Sequence, residues 1–321
     1  MAPPKKPSGY LTPGSFSVEA REAAAKAAKA QRASSPPETA KSEQKTAPGT
    51  YSGLGRVSEK VATVAKKAPG GQPIIRLEDC TKRLGVRNIL DHCTLRVEPG
   101  EAIVIIGRSG EGKSVTLKHI CGLMKPDSGR VFVDGDDITD LNEADIARVR
   151  MKVGFLFQGA ALFDSLTVAE NVAFALRRHT DMPNDEIAAR VEECLTMVGL
   201  KGAGEKAPSD LSGGMRKRAG LARAIAIRPK IMLYDEPTTG LDPIMSDVIN
   251  ELILSTQKQL GVTSVIVTHD MVSAYKIADR IAMLYQGRIV AQGTPQEIRA
   301  SSDPMIRQFI TGSAEGPLQV V

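Results

Sequence analysis

Gly107-Arg108-Ser109-Gly110-Glu111-Gly112-Lys113-Ser114 lies between the apolar run Ala102–Ile106 and a helical pattern over 114–124. A strand, a glycine-rich turn and a helix with the spacing G-x-x-x-x-G-K-S predict a loop that wraps phosphate groups. Glycines let the backbone curl so that its N–H groups converge on an anion. The helix that follows presents the positive end of its dipole to the same point. Lys113 can reach the β- and γ-phosphates of a nucleotide, and the Ser114 hydroxyl is placed to ligate Mg²⁺. The expected nucleotide-contacting set runs through Gly107, Arg108, Ser109, Gly110, Glu111, Gly112, Lys113, Ser114 and Val115.

Outward from this loop the pattern is alternating. Residues 74–79 and 93–97 alternate like strands, with a turn at Glu98-Pro99-Gly100. Ala102–Ile106 is unbroken apolar sequence, the mark of a central parallel strand. Short strands follow over 129–133 and 153–157, and helices over 167–200, with Thr167 as an N-cap and Gly199 near a C-terminus. A helix over 213–227 comes next. Strands over 231–234 and 264–267 then flank a helix at Pro243–Leu260. Strands alternating with helices predict an α/β fold with a mostly parallel sheet. The stretch from about 159 to 215 has no strand pattern and reads as a helical insertion in that fold.

A second chemical element ends one of these strands. Ile231-Met232-Leu233-Tyr234-Asp235-Glu236 is an apolar strand closed by two acids. The carboxyl edge of a parallel sheet is where ligands bind. Strand-end acids are often merely solvated, but beside a phosphate loop they point to chemistry. Asp235 is expected to hold Mg²⁺ through water. Glu236, one residue on, can face the γ-phosphate and polarise a water molecule.

Leu211-Ser212-Gly213-Gly214-Met215 opens a helix about twenty residues before that acid pair. Together with the phosphate loop, this resembles the ATP-binding cassette (ABC) family. Further motifs follow in the family's order. Gln158 ends the strand over 153–157, where the family has its Q-loop glutamine. Gly240-Leu241-Asp242-Pro243 resembles the D-loop, and His269 follows the strand over 264–267, where the switch histidine lies. Each of these alone is an ordinary loop residue, turn or packed histidine; their joint order carries the resemblance, which spans about residues 74–298. It implies a P-loop NTPase core with an antiparallel β edge, with ATP and Mg²⁺ as cofactors. It implies catalytic roles for Glu236, His269 and Gln158, with Ser114, Gln158 and Asp235 around the metal. It also implies two copies packed head to tail, so that Ser212, Gly213, Gly214 and Asp242 serve the nucleotide held by the other copy. One position departs from the pattern. Where the family has an adenine-stacking aromatic, this chain has Leu84, which can cover a purine face but has no π-face to stack on it.

Within the family, 153–163 (VGFLFQGAALF), 168–179 (VAENVAFALRRH) and 302–317 resemble the cassette of maintenance-of-lipid-asymmetry and related Mce-type transporters. That resemblance implies phospholipid as cargo. It implies an integral-membrane permease and a periplasmic lipid-binding Mce-type protein as partners, and a place on the cytoplasmic face of the inner membrane. An importer for another solute, such as polar amino acids, stays open as an alternative. A soluble cassette acting on ribosomes or DNA fits less well, because such proteins carry paired cassettes, zinc or coiled-coil insertions that are missing here.

Composition agrees with this division of labour. No apolar run reaches the ~18–20 residues of a membrane-spanning helix, so another chain would have to cross the bilayer. Of the 321 residues, the first 73 carry twelve Lys/Arg against five Asp/Glu, whereas the remainder carries thirty against thirty-two. The overall net charge of +5 therefore belongs to a tail and is no argument for nucleic acid. The chain divides into a basic, Ala/Lys/Pro-rich extension over 1–72, expected to be disordered with a helix-prone stretch over 18–32, a cassette over 73–300, and a C-terminal helix and tail over 301–321. Cys80, Cys93, Cys121 and Cys194 lack C-x-x-C spacing and read as reduced core thiols.

Overall fold

β3 (Ala102–Ile106) is buried along its whole length, and so are β7 (Ile231–Asp235) and β8 (Thr263–Thr268). Strands covered on both faces belong in the middle of a parallel sheet. A computed structural model describes residues 72–318 and places the three side by side, in the six-stranded order β10-β9-β3-β8-β7-β6. Its other members are β6 (Val153–Leu156), β9 (Arg280–Tyr285) and β10 (Arg288–Gly293). Every neighbouring pair is parallel except β9 with β10, which form an antiparallel hairpin. The register aligns Ile106 with Thr268 and Tyr234 with Ile266, so the segments after β3, β7 and β8 leave the sheet at one edge.

Helices cover this sheet. α1 (Lys113–Ile120) follows β3, and α2 (Glu143–Arg150) precedes β6. Between β6 and β7 come α3 (Val168–His179), α4 (Asn184–Met197), a short 3-10 turn at Pro208–Asp210 and α5 (Gly213–Ile225). Residues 159–212 hold no strand, and α5 runs past 215, the end expected for the insertion. α3 starts where Thr167 accepts from the Glu170 N–H while Glu170 reaches back to Thr167, a reciprocal cap that satisfies two otherwise unpaired donors. α6 (Pro243–Leu260) joins β7 to β8, starting at Asp242 and ending at Gly261, φ 64°. α7 (Met271–Ile277), α8 (Pro295–Ala300) and α9 (Pro304–Thr311) complete the described chain.

A second sheet is wholly antiparallel, in the order β2-β1-β4-β5, with β1 at Ile75–Leu84, β2 at Arg87–Val97, β4 at Ser128–Val133 and β5 at Asp136–Asp137. Both β1 and β2 are longer than their sequence pattern suggests. The β1–β2 pairing shifts register between Leu77 and Cys80, and again around Lys82. Asp79 and His92 sit there at positive φ. Such bulges interrupt the two-residue alternation by which a strand is read. α1 is shorter than expected, because Gly122 turns left-handed (φ 65°) just beyond it.

All four cysteines are free and buried, and burial pushes their thiols up, to about 12 for Cys93 and about 11 for the others. No described helix is long and apolar enough to cross a membrane. The expected basic extension, with its helix-prone stretch over 18–32, lies outside the described residues except for Gln72.

Candidate active site

The phosphate loop fills the gap between β3 and α1, squeezed between two other strands. A Cβ on Gly107 (φ 158°) would lie 2.5 Å from the Leu284 carbonyl oxygen of β9. One on Gly112 (φ 103°) would lie 2.6 Å from the Ile89 carbonyl oxygen of β2. Only glycine fits at these two positions, because the obstacle in each case is backbone. α1 begins at Gly112 with no side-chain cap, so its first-turn N–H groups remain donors for an anion.

Lys113 is 6% exposed and donates to the Gly107 and Arg108 carbonyls at 2.8 and 3.1 Å. Burial holds its amine below the ordinary lysine value, against the pull of Glu236, Asp235 and Glu111. The Ser114 hydroxyl donates to Asp235 Oδ1 at 2.7 Å. Burial pushes the Asp235 carboxyl up, opposed by that hydrogen bond and reinforced by the neighbouring charge of Glu236. A hydroxyl and a carboxylate in contact are hard oxygen donors, the type Mg²⁺ prefers. A cation there would offset the crowding of Asp235 and Glu236. Among the described residues, no cluster of three or more His, Cys, Asp or Glu could hold a metal alone. This pair would therefore need ligand oxygens to complete the shell.

Glu236 is the hub. It is 8% exposed and adopts φ 48°, a left-handed conformation that costs a non-glycine residue energy. Its backbone is held by the bond from its N–H to Val267 O at 2.9 Å and by Lys217 Nζ, which donates to its carbonyl at 3.2 Å. Its carboxylate lies 3.5 Å from Lys113 through Oε1. Through Oε2 it lies 2.9 Å from His269 Nδ1 and accepts the Thr239 hydroxyl at 3.0 Å. Burial holds the Lys217 amine low, against the pull of Glu236. The fold thus gathers Lys113, Ser114, Asp235, Glu236 and His269 from three separate strand ends. Thr239 and Lys217 join them without having been anticipated. Thr239 sits a turn beyond Glu236 and could have been suspected from that spacing; no motif marks Lys217.

The remaining expected residues sit apart. Gln158 is exposed and leaves β6 at the same sheet edge, since Leu156 pairs with Tyr234. Leu84 is 45% exposed where β1 ends, paired with Arg87 across the turn. A cleft of about 270 Å³ beside the loop is lined by Arg87, Asn88, Ile89, Gly110, Glu111 and the β9–β10 turn, and not by Leu84. Ser212 and Gly213 are exposed at the start of α5, where the Ser212 hydroxyl accepts the Met215 N–H at 3.3 Å. Gly214 packs on Met245: a Cβ there would lie 2.6 Å from Met245 Cε. Asp242 is spent on capping α6, accepting from the Ile244 and Met245 N–H groups at 3.0 Å each.

A sequence model of the ABC transporter family matches residues 90–239. The intermembrane phospholipid transport system ATP-binding protein MlaF of Escherichia coli K12 is 41% identical over 245 residues, which is 76% of this chain and 91% of that protein. The probable ribonucleotide transport ATP-binding protein mkl of Mycobacterium tuberculosis H37Rv is 41% identical over 244 residues, 76% of this chain and 68% of that protein. Among solved structures, an ATP-binding cassette dimer in a post-hydrolysis state with ADP and Pi is 34% identical. It superimposes with a TM-score of 0.65 and covers 69% of this chain and 98% of that one.

Proposed function

The chain belongs to the ATP-binding cassette family of transporter ATPases, and we propose that it hydrolyses ATP to power phospholipid transport between membranes. The observation that carries the catalytic part is the Glu236 carboxylate, set between His269 at 2.9 Å and Lys113 at 3.5 Å beside the Ser114–Asp235 pair. Lys113 exchanges its loop carbonyls for the β- and γ-phosphate oxygens. The N–H groups of the loop and of the first turn of α1 take the remaining phosphate charge. Ser114 and Asp235, with Gln158 from the β6 edge, would hold Mg²⁺, which when bound would supply charge neutralisation at the transferred phosphoryl group. Glu236 accepts a proton from water as the water oxygen bonds to the γ-phosphorus and the bond to the ADP oxygen breaks. Thr239 and the backbone bonds of Glu236 keep that carboxylate aimed, and His269 contacts the γ-phosphate.

Ser212–Gly214 serves a second copy of the chain. An exposed helix N-terminus bearing glycines is a phosphate site in search of a phosphate. The dimeric solved structure that holds ADP and Pi supports a pair of copies; in the head-to-tail pair proposed here, each turn closes on the other copy's ATP. Gln158 and the helices that follow it pass the nucleotide state to an integral-membrane permease on the cytoplasmic face of the membrane, and a periplasmic Mce-type protein completes the system.

Phospholipid as cargo is supported by the name of the MlaF relatives and by their coverage, which reaches 94% of the Haemophilus influenzae protein. The mycobacterial relatives of equal identity carry ribonucleotide transport in their names, so cargo is the part to test. The full chain, purified with its membrane subunit, is expected to bring down phospholipid detectable by mass spectrometry. Stimulation of ATP hydrolysis by a nucleotide or amino acid, with no lipid retained, would refute the assignment.

A further inference from the structure

The loop proposed for phosphate oxygens carries an acid of its own. Glu111 is buried within it, where a negative charge opposes an anionic ligand. The motif leaves this position open, so phosphate binding does not require an acid there. The carboxylate has a partner elsewhere: Oε2 accepts the Gln286 N–H at 2.5 Å. Gln286 and Gly287 form the two-residue turn between β9 and β10, with φ 48° and 75°, the pair of positive values of a type I′ hairpin. That turn is itself fixed. The Asp91 N–H donates to Gly287 O at 3.0 Å, and Arg288 pairs with Asp91 at 2.6 Å. A Cβ on Gly287 would lie 2.8 Å from both Asp91 N and Ile89 O, so the turn presses on β2. The phosphate loop already touches β9 at Gly107 and β2 at Gly112. Glu111 adds a hydrogen bond between those two points, to the hairpin that joins the same two neighbours. Its charge also favours the charged form of Lys113.

We propose that Glu111 is a positioning residue with two opposed effects on nucleotide affinity. Its hydrogen bond holds the loop in the shape that receives phosphates, which tightens binding. Its charge repels them, which weakens binding and eases the departure of ADP. The inference rests on reading Gly107–Ser114 as the ATP phosphate site.

Two substitutions separate the effects, read by isothermal titration of the full chain with ATP and with ADP. Glu111→Gln keeps an acceptor oxygen for Gln286 and removes the charge; it is expected to bind ADP about fivefold tighter than the wild type. Glu111→Ala has the same charge as Glu111→Gln but no acceptor, and is expected to bind about tenfold more weakly than Glu111→Gln. A residue with a merely structural role would not tighten binding when replaced. Binding by Glu111→Gln no tighter than wild type, or equal binding by the two variants, overturns the proposal. Lys113→Ala, titrated alongside, tests the underlying reading separately. Loss of ATP binding there supports the phosphate site, and unchanged binding overturns both that site and the role of Glu111.

Discussion

The Glu236 centre and the Ser212–Gly214 turn contrast in how much of their partner set the chain itself supplies. Glu236 is buried, with Lys113, Thr239, His269 and Lys217 all in contact with it. Ser212 and Gly213 of the turn are exposed, and among the described residues the Ser212 hydroxyl is engaged in its own cap with Met215. Yet the two are wired together within one chain. Lys217 lies on the helix that Ser212 opens and donates to the Glu236 carbonyl. Gly214 packs on Met245, which the Asp242 cap holds in place. The difference fits the proposed head-to-tail pair, in which one chain organises its chemistry beforehand and a second copy would bring the completing donor. On that reading, binding of the copy would be sensed at Glu236 through α5, by way of Lys217.

This contrast can be broken at either end. Glu236→Gln should lower ATP turnover about a thousandfold while ATP still binds, because only the base is lost; turnover near the wild-type rate would remove Glu236 from the chemistry. Lys113→Ala should weaken ATP about a hundredfold in equilibrium titration, since charge-assisted bonds to phosphate are lost and the Glu236 carboxylate loses its lysine. Ser212→Arg should cut hydrolysis in the assembled transporter about tenfold or more, while the isolated chain binds ATP within about twofold of wild type. If that variant lost ATP affinity as an isolated chain, the turn would belong to its own chain's site. Leu84→Tyr should have the smallest effect, about fivefold lower KM for ATP at unchanged kcat, by adding a stacking face. No change in KM would place the base away from the end of β1.

Much of the frame was legible because it depends on local rules. β3 falls on its apolar run, α6 spans the expected Pro243–Leu260, and Thr167 caps α3 as expected. Asp235 and Glu236 could be located because they close the apolar run 231–234, although β7 runs one residue further and takes in Asp235. Bulges hid half of β2, since a register slip reverses which side chains face inward. The contacts of Lys217 with the Glu236 carbonyl and of Glu111 with the Gln286 amide were not legible, because a bond to backbone leaves no mark on the partner's residue type. The left-handed φ of Glu236 was hidden for a related reason: it is imposed by the bonds around it rather than by a glycine.

The claim that each reaction site is built from two copies can be tested by mixing two inactive chains. Lys113→Ala has a dead phosphate loop and an intact turn; Ser212→Arg has the reverse. In a head-to-tail pair of one with the other, one site keeps both good halves. ATP hydrolysis measured in an equal mixture, assembled with the permease, should rise well above that of either variant alone. If the mixture stays as inactive as its parts, the two halves do not meet across an interface, and the composite site is wrong.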